Sequence, residues 1–333
     1  MVIIPGLGEL KLEPEDFNVE EILGFDLSGG GEHVWLYIEK TLLNTQELQR
    51  EIATLANVRR FDVGYSGLKD KVGVTRQWFS VYLPNGNIPN WSSLNSDKVR
   101  VLRIDRHYKK LRVGTHQSNK FKIITRNCNF DNILEVDSGI SYINNNGFIN
   151  LFGEQRFGAD NHNLDKALGW IEGAIKIKSK KDRGFLLSVL RSFLFNKYIE
   201  MRGEKRSLRQ VILGDVVGFP GANTWFHVDS SNIDEVQSRC NNHELVIAGV
   251  LYGKNRKLSV SDDSKVLLDD LLVKYPWSQK LLDYDIDVMY RAVLSYPKDL
   301  MYCYDENNSL LTFSFTLNRG SYATVLLHRL LIV

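Results

Sequence analysis

Cysteine and proline are scarce, at three and seven among 333 residues, and Cys128, Cys240 and Cys303 lie far apart. Without a C-x-x-C pair, neither a disulfide framework nor a cysteine-based zinc site is indicated, and reduced core thiols are expected. No apolar run reaches the ~18–20 residues of a membrane span. The start MVIIPGLGEL lacks the basic leader and long apolar stretch of a secretory signal. A cytoplasmic protein with no membrane partner is the expectation. Repeats, low-complexity tracts and long Pro/Gly/Ser linkers are missing too, so any domain junction should be a short loop. Gly29, Gly30 and Gly31 are followed by no Gly-Lys-Ser/Thr and lead into a strand pattern, which argues against a phosphate loop.

What is present is ordinary in amount and uneven in placement. A hydrophobic share of 43% and a charged share of 25% are values of a globular chain. The length suggests two domains. Net charge is only +2, yet Lys98 to Arg126 holds ten Lys/Arg against one acid, Asp105. Further cationic clusters stand at Lys176 to Arg183 and Arg202 to Arg209, while acids gather at Glu13 to Glu21 and Asp262 to Asp287. A basic middle of this kind suits a phosphate-backbone partner, because neutralising phosphates releases condensed counterions. A solvated charged face would look the same.

Periodicity gives the elements. In HVWLYIEK, Val34, Leu36 and Ile38 share one face at period two and predict a half-buried strand. Asn44 precedes Leu48, Ile52 and Leu55 at helical spacing and reads as the N-cap of an amphipathic helix. Strands are predicted at FDVGYSG, QWFSVYLP, KVRVLRID and KFKIITRN, with turns at Pro84-Asn85-Gly86 and around Gly114. After Gly158 the pattern changes to long helices, HNLDKALGWIEGAI and KDRGFLLSVLRSFLFNKYIEM. TFSFTL and SYATVLLHRLL then return to a strand and a helix. This predicts an α+β chain with an inserted domain.

Chemistry concentrates in GYSGLKDKVGVTRQWFS, residues 64–80, where one strand breaks at glycines and another resumes. Asp70 falls on that connection between Lys69 and Lys71, whose charges favour its carboxylate form. A carboxylate can serve as nucleophile or base. A loop aspartate between lysines is also the ordinary look of a surface ion pair, and composition leaves both readings open. His116 has no nearby acid or second histidine in sequence, and is expected to be an RNA contact or a surface group.

The same stretch, GYSGLKDKVGVTRQWFSV, resembles the signature of the TruD family of tRNA pseudouridine synthases. The likeness continues in order through Lys11 with Pro14 to Glu21, Lys110 to Gly114 and Ser118 to Phe121. It goes on through Asn150 to Gly158, Ser192 to Asn196, Gly214 to Val216, Arg291 to Leu300, and Gly320 to Thr324 with Arg329. The resemblance implies a pseudouridine-synthase-type catalytic domain with a mixed, mainly antiparallel sheet over residues 1–158 and 296–333. An inserted α+β domain would occupy residues 159–295, with boundaries uncertain by about ten residues. It implies that Asp70 is the catalytic aspartate and that Phe121 stacks on the target uracil with Asn119 beside it. Ser118 stands where the family usually has glycine. Tyr322 would wall the pocket, Lys11 would orient Asp70, and Arg156 would contact substrate. RNA contacts are expected at Lys69, Lys71, Lys109, Lys110 and Arg112. The implied substrate is tRNA, at the uridine of position 13 in the D-arm, handled by a monomer with no metal and no organic cofactor. Such a base must leave its stack to be reached. The competing readings are a pseudouridine synthase with other RNA targets and a non-catalytic RNA-binding or chaperone protein.

Overall fold

Alternation along HVWLYIEK is realised as a strand, His33–Thr41, in the computed structural model, with Val34, Leu36 and Ile38 buried on one face. The structure describes residues 2–4, 6–84, 88–128, 133–254 and 258–330, so most of the turn expected at Pro84-Asn85-Gly86 lies outside the described residues. The chain divides into two compact units. One comprises Met1–Asn146, Tyr296–Ala323 and Leu327–Val333, the other Gly147–Ser295 and Thr324–Leu326.

The elements of the first part are β1 (Val2–Ile4), β2 (Gly8–Leu10), β3 (Phe17–Ile22), β4 (His33–Thr41), α1 (Thr45–Leu55), β5 (Val63–Tyr65), β6 (Val74–Tyr82), β7 (Val99–His107), β8 (Ser118–Arg126) and α2 (Ile133–Asn146). Near the C-terminus come β15 (Lys298–Asp305), β16 (Leu310–Asn318) and α7 (Ala323–Arg329). Ten strands form one sheet, running β15-β16-β8-β3-β6-β4-β7. β2 follows β3 along the same side of β8, β1 pairs with β2, and β5 pairs with β6. Only β3 and β6 run parallel among these pairings, Asn18 to Glu20 against Val74 to Arg76, so the sheet is mixed and mainly antiparallel.

Helix α1 begins where the sequence placed it. The Asn44 and Glu47 side chains cap one another's backbone, and Leu48 and Ile52 are buried with Val34, Leu36, Phe79 and Val81. Burying such a row stabilises by roughly 2 kcal/mol per large side chain, which fixes the helix over the strands that carry the site.

Within the second unit the elements are β9 (Phe148–Ile149), α3 (His162–Ile171), α4 (Lys180–Lys205), β10 (Val216–Gly218), β11 (Trp225–His227), α5 (Ile233–Asn241), β12 (Val246–Leu251), α6 (Asp262–Lys274), β13 (Met289–Ala292) and β14 (Leu294–Ser295). Four of its strands make an antiparallel sheet in the order β11-β10-β12-β13. Leu190, Leu194, Phe195 and Tyr198 of α4 are buried in one cluster with Val217 and Ile247. Helix α3 ends at Ile171, short of the predicted stretch.

One expectation needs correction. The thiols are not all in the core, because Cys240 is buried but Cys303 is exposed on β15, the outermost strand beside β16. FNVEEI, which is not among the strands predicted from sequence, is β3 near the middle of the sheet, with Phe17, Val19 and Glu21 all buried.

Candidate active site

The connection from β5 to β6 carries Asp70, and close backbone approaches dictate its glycines. A Cβ on Gly64 would lie 2.2 Å from the Leu111 carbonyl oxygen, and one on Gly73, at φ +151°, 2.6 Å from that of Phe17. Polar side chains fasten the loop in between. Thr45 Oγ1 accepts from the Lys69 N–H (3.0 Å) and donates to Gln77 Oε1 (2.9 Å). Gln77 Nε2 in turn donates to the Gly67 carbonyl at 3.2 Å. Lys40 Nζ donates to the backbone carbonyl of Asp70 itself, at 2.9 Å.

Three enclosed lysines therefore converge on this loop. Lys11 Nζ donates to Asp70 Oδ2 at 2.9 Å; the lysine side chain is 7% exposed, whereas the aspartate stays 41% exposed. Lys40 is buried, and burial pushes its ammonium down to about 8, with nearby Lys69 acting in the same direction and Asp70 opposing. Lys69 Nζ lies 3.0 Å from Glu21 Oε2 and donates to Asn119 Oδ1 at 2.9 Å. Burial raises the Glu21 carboxyl while Lys69 opposes the rise. Lys40 and Glu21 were missed at the sequence level. Each falls in the buried phase of its strand, after Ile38 and Val19 respectively, and a charge in that phase is the signal that could have exposed them.

Contacts run from Asp70 round to Lys69, its neighbour in sequence. Lys11 Nζ sits 3.9 Å from the centre of the Phe17 ring, and Phe17 meets Phe121 edge-on at 6.2 Å. Phe121 also stacks on Phe315 at 5.3 Å and is only 7% exposed. Asn119 lies two residues from Phe121 on β8, opposite Glu21. His116 is buried, which corrects the expectation of a surface group. Its Nδ1 lies 2.6 Å from Ser66 Oγ and its Nε2 3.3 Å from Asn119 Nδ2. Burial, with Lys69 and Arg319 adding to it, pushes the imidazole down to about 4.

The remaining expected residues divide. Lys69 is enclosed and ion-paired rather than presented to a polyanion. Lys71, Lys109 and Arg112 are exposed, and Lys110 donates to the Phe61 carbonyl while facing its ring at 5.1 Å. Tyr322 is half-buried at the N-cap of α7. Arg156 belongs to the second unit, where its Nε donates to Ser192 Oγ at 3.2 Å and its guanidinium lies 5.8 Å from the Phe152 and Phe185 rings. At the end of the basic segment, Arg126 pairs with Asp16 and Glu13. Among the described residues no group of three or more His, Cys, Asp or Glu could hold a metal ion, and no helix is long and apolar enough to cross a membrane.

Comparison with known proteins bears directly on this arrangement. The family model of tRNA pseudouridine synthase D (TruD) matches residues 4–169 and 161–330. The chain belongs to the TruD family. Among curated relatives, tRNA pseudouridine synthase D of Haemophilus influenzae (strain PittEE) is 35% identical over 322 residues, covering 96% of this chain and 93% of the relative. That of Proteus mirabilis (strain HI4320) is 32% identical over 327 residues, covering 98% and 92%. A crystal structure from Methanosarcina mazei assigned to TruD superposes with a TM-score of 0.69 at 19% identity, covering 98% of this chain and 94% of that one. At that identity the likeness speaks for the fold alone, and the fold is the TruD fold. Membership makes the chain an enzyme of the isomerase class, a pseudouridine synthase. The TruD resemblance of the loop at Asp70 and that of the blocks in both units thus belong to a family match spanning the chain.

Proposed function

We propose that this chain converts uridine to pseudouridine in tRNA, at position 13 of the D-arm, with Asp70 as the catalytic residue. The observation that carries the reading is the Asp70 carboxylate, anchored through one oxygen to the enclosed Lys11 ammonium yet still 41% exposed on a loop locked from behind by Lys40. The tRNA substrate follows from the names of the relatives, and the D-arm position and the aspartate mechanism from the resemblance of the signature.

In the reaction the N1–C1′ bond breaks, C5–C1′ forms, C5 gives up its proton and N1 gains one, so atoms and electrons balance within the nucleotide. A carboxylate oxygen supplies the charge needed at the sugar or the ring, whether by attack on C1′, addition to C6 or removal of the C2′ proton. Lys11 holds that oxygen in place so that little is reorganised during the reaction. The target base leaves its stack to enter the pocket. Phe121, backed by Phe17 and Phe315, offers it an aromatic floor, with Asn119 and Tyr322 beside it. Lys71, Lys109, Lys110 and Arg112 are the proposed phosphate contacts, and Arg156 a further substrate contact from the second unit. The reading also places the catalytic domain in residues 1–158 and 296–333 and the inserted domain in 159–295. Incubation with unmodified tRNA transcripts, followed by carbodiimide-dependent mapping of pseudouridine, tests activity and position together. Product at position 13 is expected; product only elsewhere overturns the position, and no product overturns the activity on tRNA.

A further inference from the structure

We propose that His116, Lys69 and Glu21 are positioning residues that lock the Asn119 amide with one N–H turned toward the target base, so that the pocket reads a carbonyl oxygen of uracil. This rests on the reading above, in which Asn119 borders the base.

Hydrogen-bond valence alone forces the direction of the amide. Lys69 Nζ can only donate, so the Asn119 atom 2.9 Å away must be Oδ1. Lys69 cannot swing off, because its ammonium is 3.0 Å from the fully enclosed Glu21 carboxylate. The amide nitrogen then faces His116 Nε2 at 3.3 Å. A donor there requires an unprotonated Nε2, and the buried imidazole, pushed down to about 4, is neutral near pH 7. Its single ring proton therefore sits on Nδ1 and is donated to Ser66 Oγ at 2.6 Å, the same oxygen that accepts the His116 backbone N–H at 2.8 Å. The other tautomer would set an N–H against an N–H. Both the carbonyl and one N–H of Asn119 are thus taken up inside the protein. Its second N–H has no partner among the described residues, and Asn119 is half-buried rather than closed off.

A fixed donor fits uracil O2 or O4. A turned amide would present a carbonyl instead, which suits only the N3–H. The device is not visible in the sequence, because His116, three residues before Asn119, takes its tautomer from Ser66, fifty positions away.

The test uses full-length protein with tRNA transcripts carrying uridine, 2-thiouridine or 4-thiouridine at the target. Sulfur accepts hydrogen bonds poorly, so wild type should lose roughly 10-fold or more in single-turnover rate in one of the two thio arms. In His116→Leu, which leaves the amide without its acceptor, the uridine rate should fall roughly 10-fold at saturating tRNA while the thio penalty shrinks below about 2-fold. His116→Gln, whose side-chain carbonyl can accept from the amide, should recover part of both. A loss of packing alone would slow all three substrates by the same factor. The proposal is overturned if neither thio substitution slows wild type or if His116→Leu keeps the full penalty. Should wild type form no pseudouridine in tRNA, the functional reading fails separately. The amide is then judged by side-chain NMR, with the Asn119 signal identified by its loss in Asn119→Asp. A rigid Asn119 side chain by 15N relaxation in wild type that becomes mobile in His116→Leu supports the lock. A side chain already mobile in wild type overturns it.

Discussion

Each unit holds an ion pair with an enclosed cation, and the two are built to opposite ends. In the second unit Arg202 and Asp215 are 0% exposed and joined by two 2.7 Å hydrogen bonds, Nη1 to Oδ1 and Nη2 to Oδ2. The remaining valences are turned inward as well, since Arg202 Nη2 also donates to the Gln210 carbonyl and Asp215 Oδ2 accepts from the Ile212 N–H. In the first unit the Lys11 ammonium is enclosed, but its aspartate is 41% exposed. A carboxylate whose oxygens are all spent on protein can hold a helix to a loop and nothing else. One held by a single cation and left open keeps an oxygen for a substrate. Burial of charge costs free energy in both places, and only the open arrangement leaves an oxygen available for chemistry.

Removing the open carboxylate gives the largest expected effect. Asp70→Asn keeps the shape and loses the charge, so single-turnover formation of pseudouridine should fall by about a thousandfold or more with tRNA affinity little changed. Turnover near wild type would break the comparison. For the closed pair the outcome should be reversed. Asp215→Asn strands a buried guanidinium and should destabilise the second unit by about 3–5 kcal/mol, read by hydrogen exchange of the α4 amides. The folded fraction should keep its single-turnover rate. A large rate loss with exchange unchanged would show that the pair serves more than the scaffold.

Much of the first unit was legible because local pattern and tertiary role agree there. Val34, Leu36 and Ile38 announce β4, and Asn44 with Glu47 announces the start of α1. Asp70 and Lys11 were both singled out through the motif resemblance, and the structure brings them together. The other charged groups around the loop, Glu21 and Lys40, were not, because each depends on a partner distant in sequence. Glu21 is carried on a strand not predicted from sequence, and its burial makes sense only with Lys69. Lys40 looked like the charged end of a strand, yet its ammonium reaches a carbonyl thirty residues further on. Periodicity assigns faces; it does not supply the non-local partner that makes a buried charge tolerable.

His116 sharpens the comparison on the acid side. Its imidazole is pushed down to about 4 in the folded chain, against 6.5 ordinarily. Between those values the unfolded chain takes up a proton that the folded chain refuses. Stability is therefore full above about pH 6.5, falls as pH drops through the window, and levels off below about 4. From pH 7 to pH 5 this group should cost the first unit about 2 kcal/mol. The measurement is the difference in thermal unfolding between wild type and His116→Gln at the two pH values, which removes the contribution of carboxylates common to both. Equal losses would mean that the histidine is not held neutral. Arg202, whose charge is reinforced by Asp215, should give the second unit no comparable term in this range.

The smallest expected effect concerns charges that neither unit encloses. Lys109 and Arg112 are exposed, and Lys110 bends back to the Phe61 carbonyl on the segment just before β5. None is held by a carboxylate as Lys11 and Lys69 are, so neutralising them should leave stability within about 0.5 kcal/mol of wild type. Their contribution should appear only with a polyanion. Changing all three to alanine should weaken tRNA binding about tenfold near physiological salt and lower the slope of log affinity against log salt by roughly two to three, since each phosphate contact adds somewhat less than one. Saturating single-turnover rate should not move, because these cations act before the base reaches Asp70. A slope that stays at the wild-type value would place the RNA backbone on a different face. A fall in the saturating rate would tie the basic loop to the open carboxylate, through the Leu111 backbone that packs on Gly64 at the start of the β5–β6 connection.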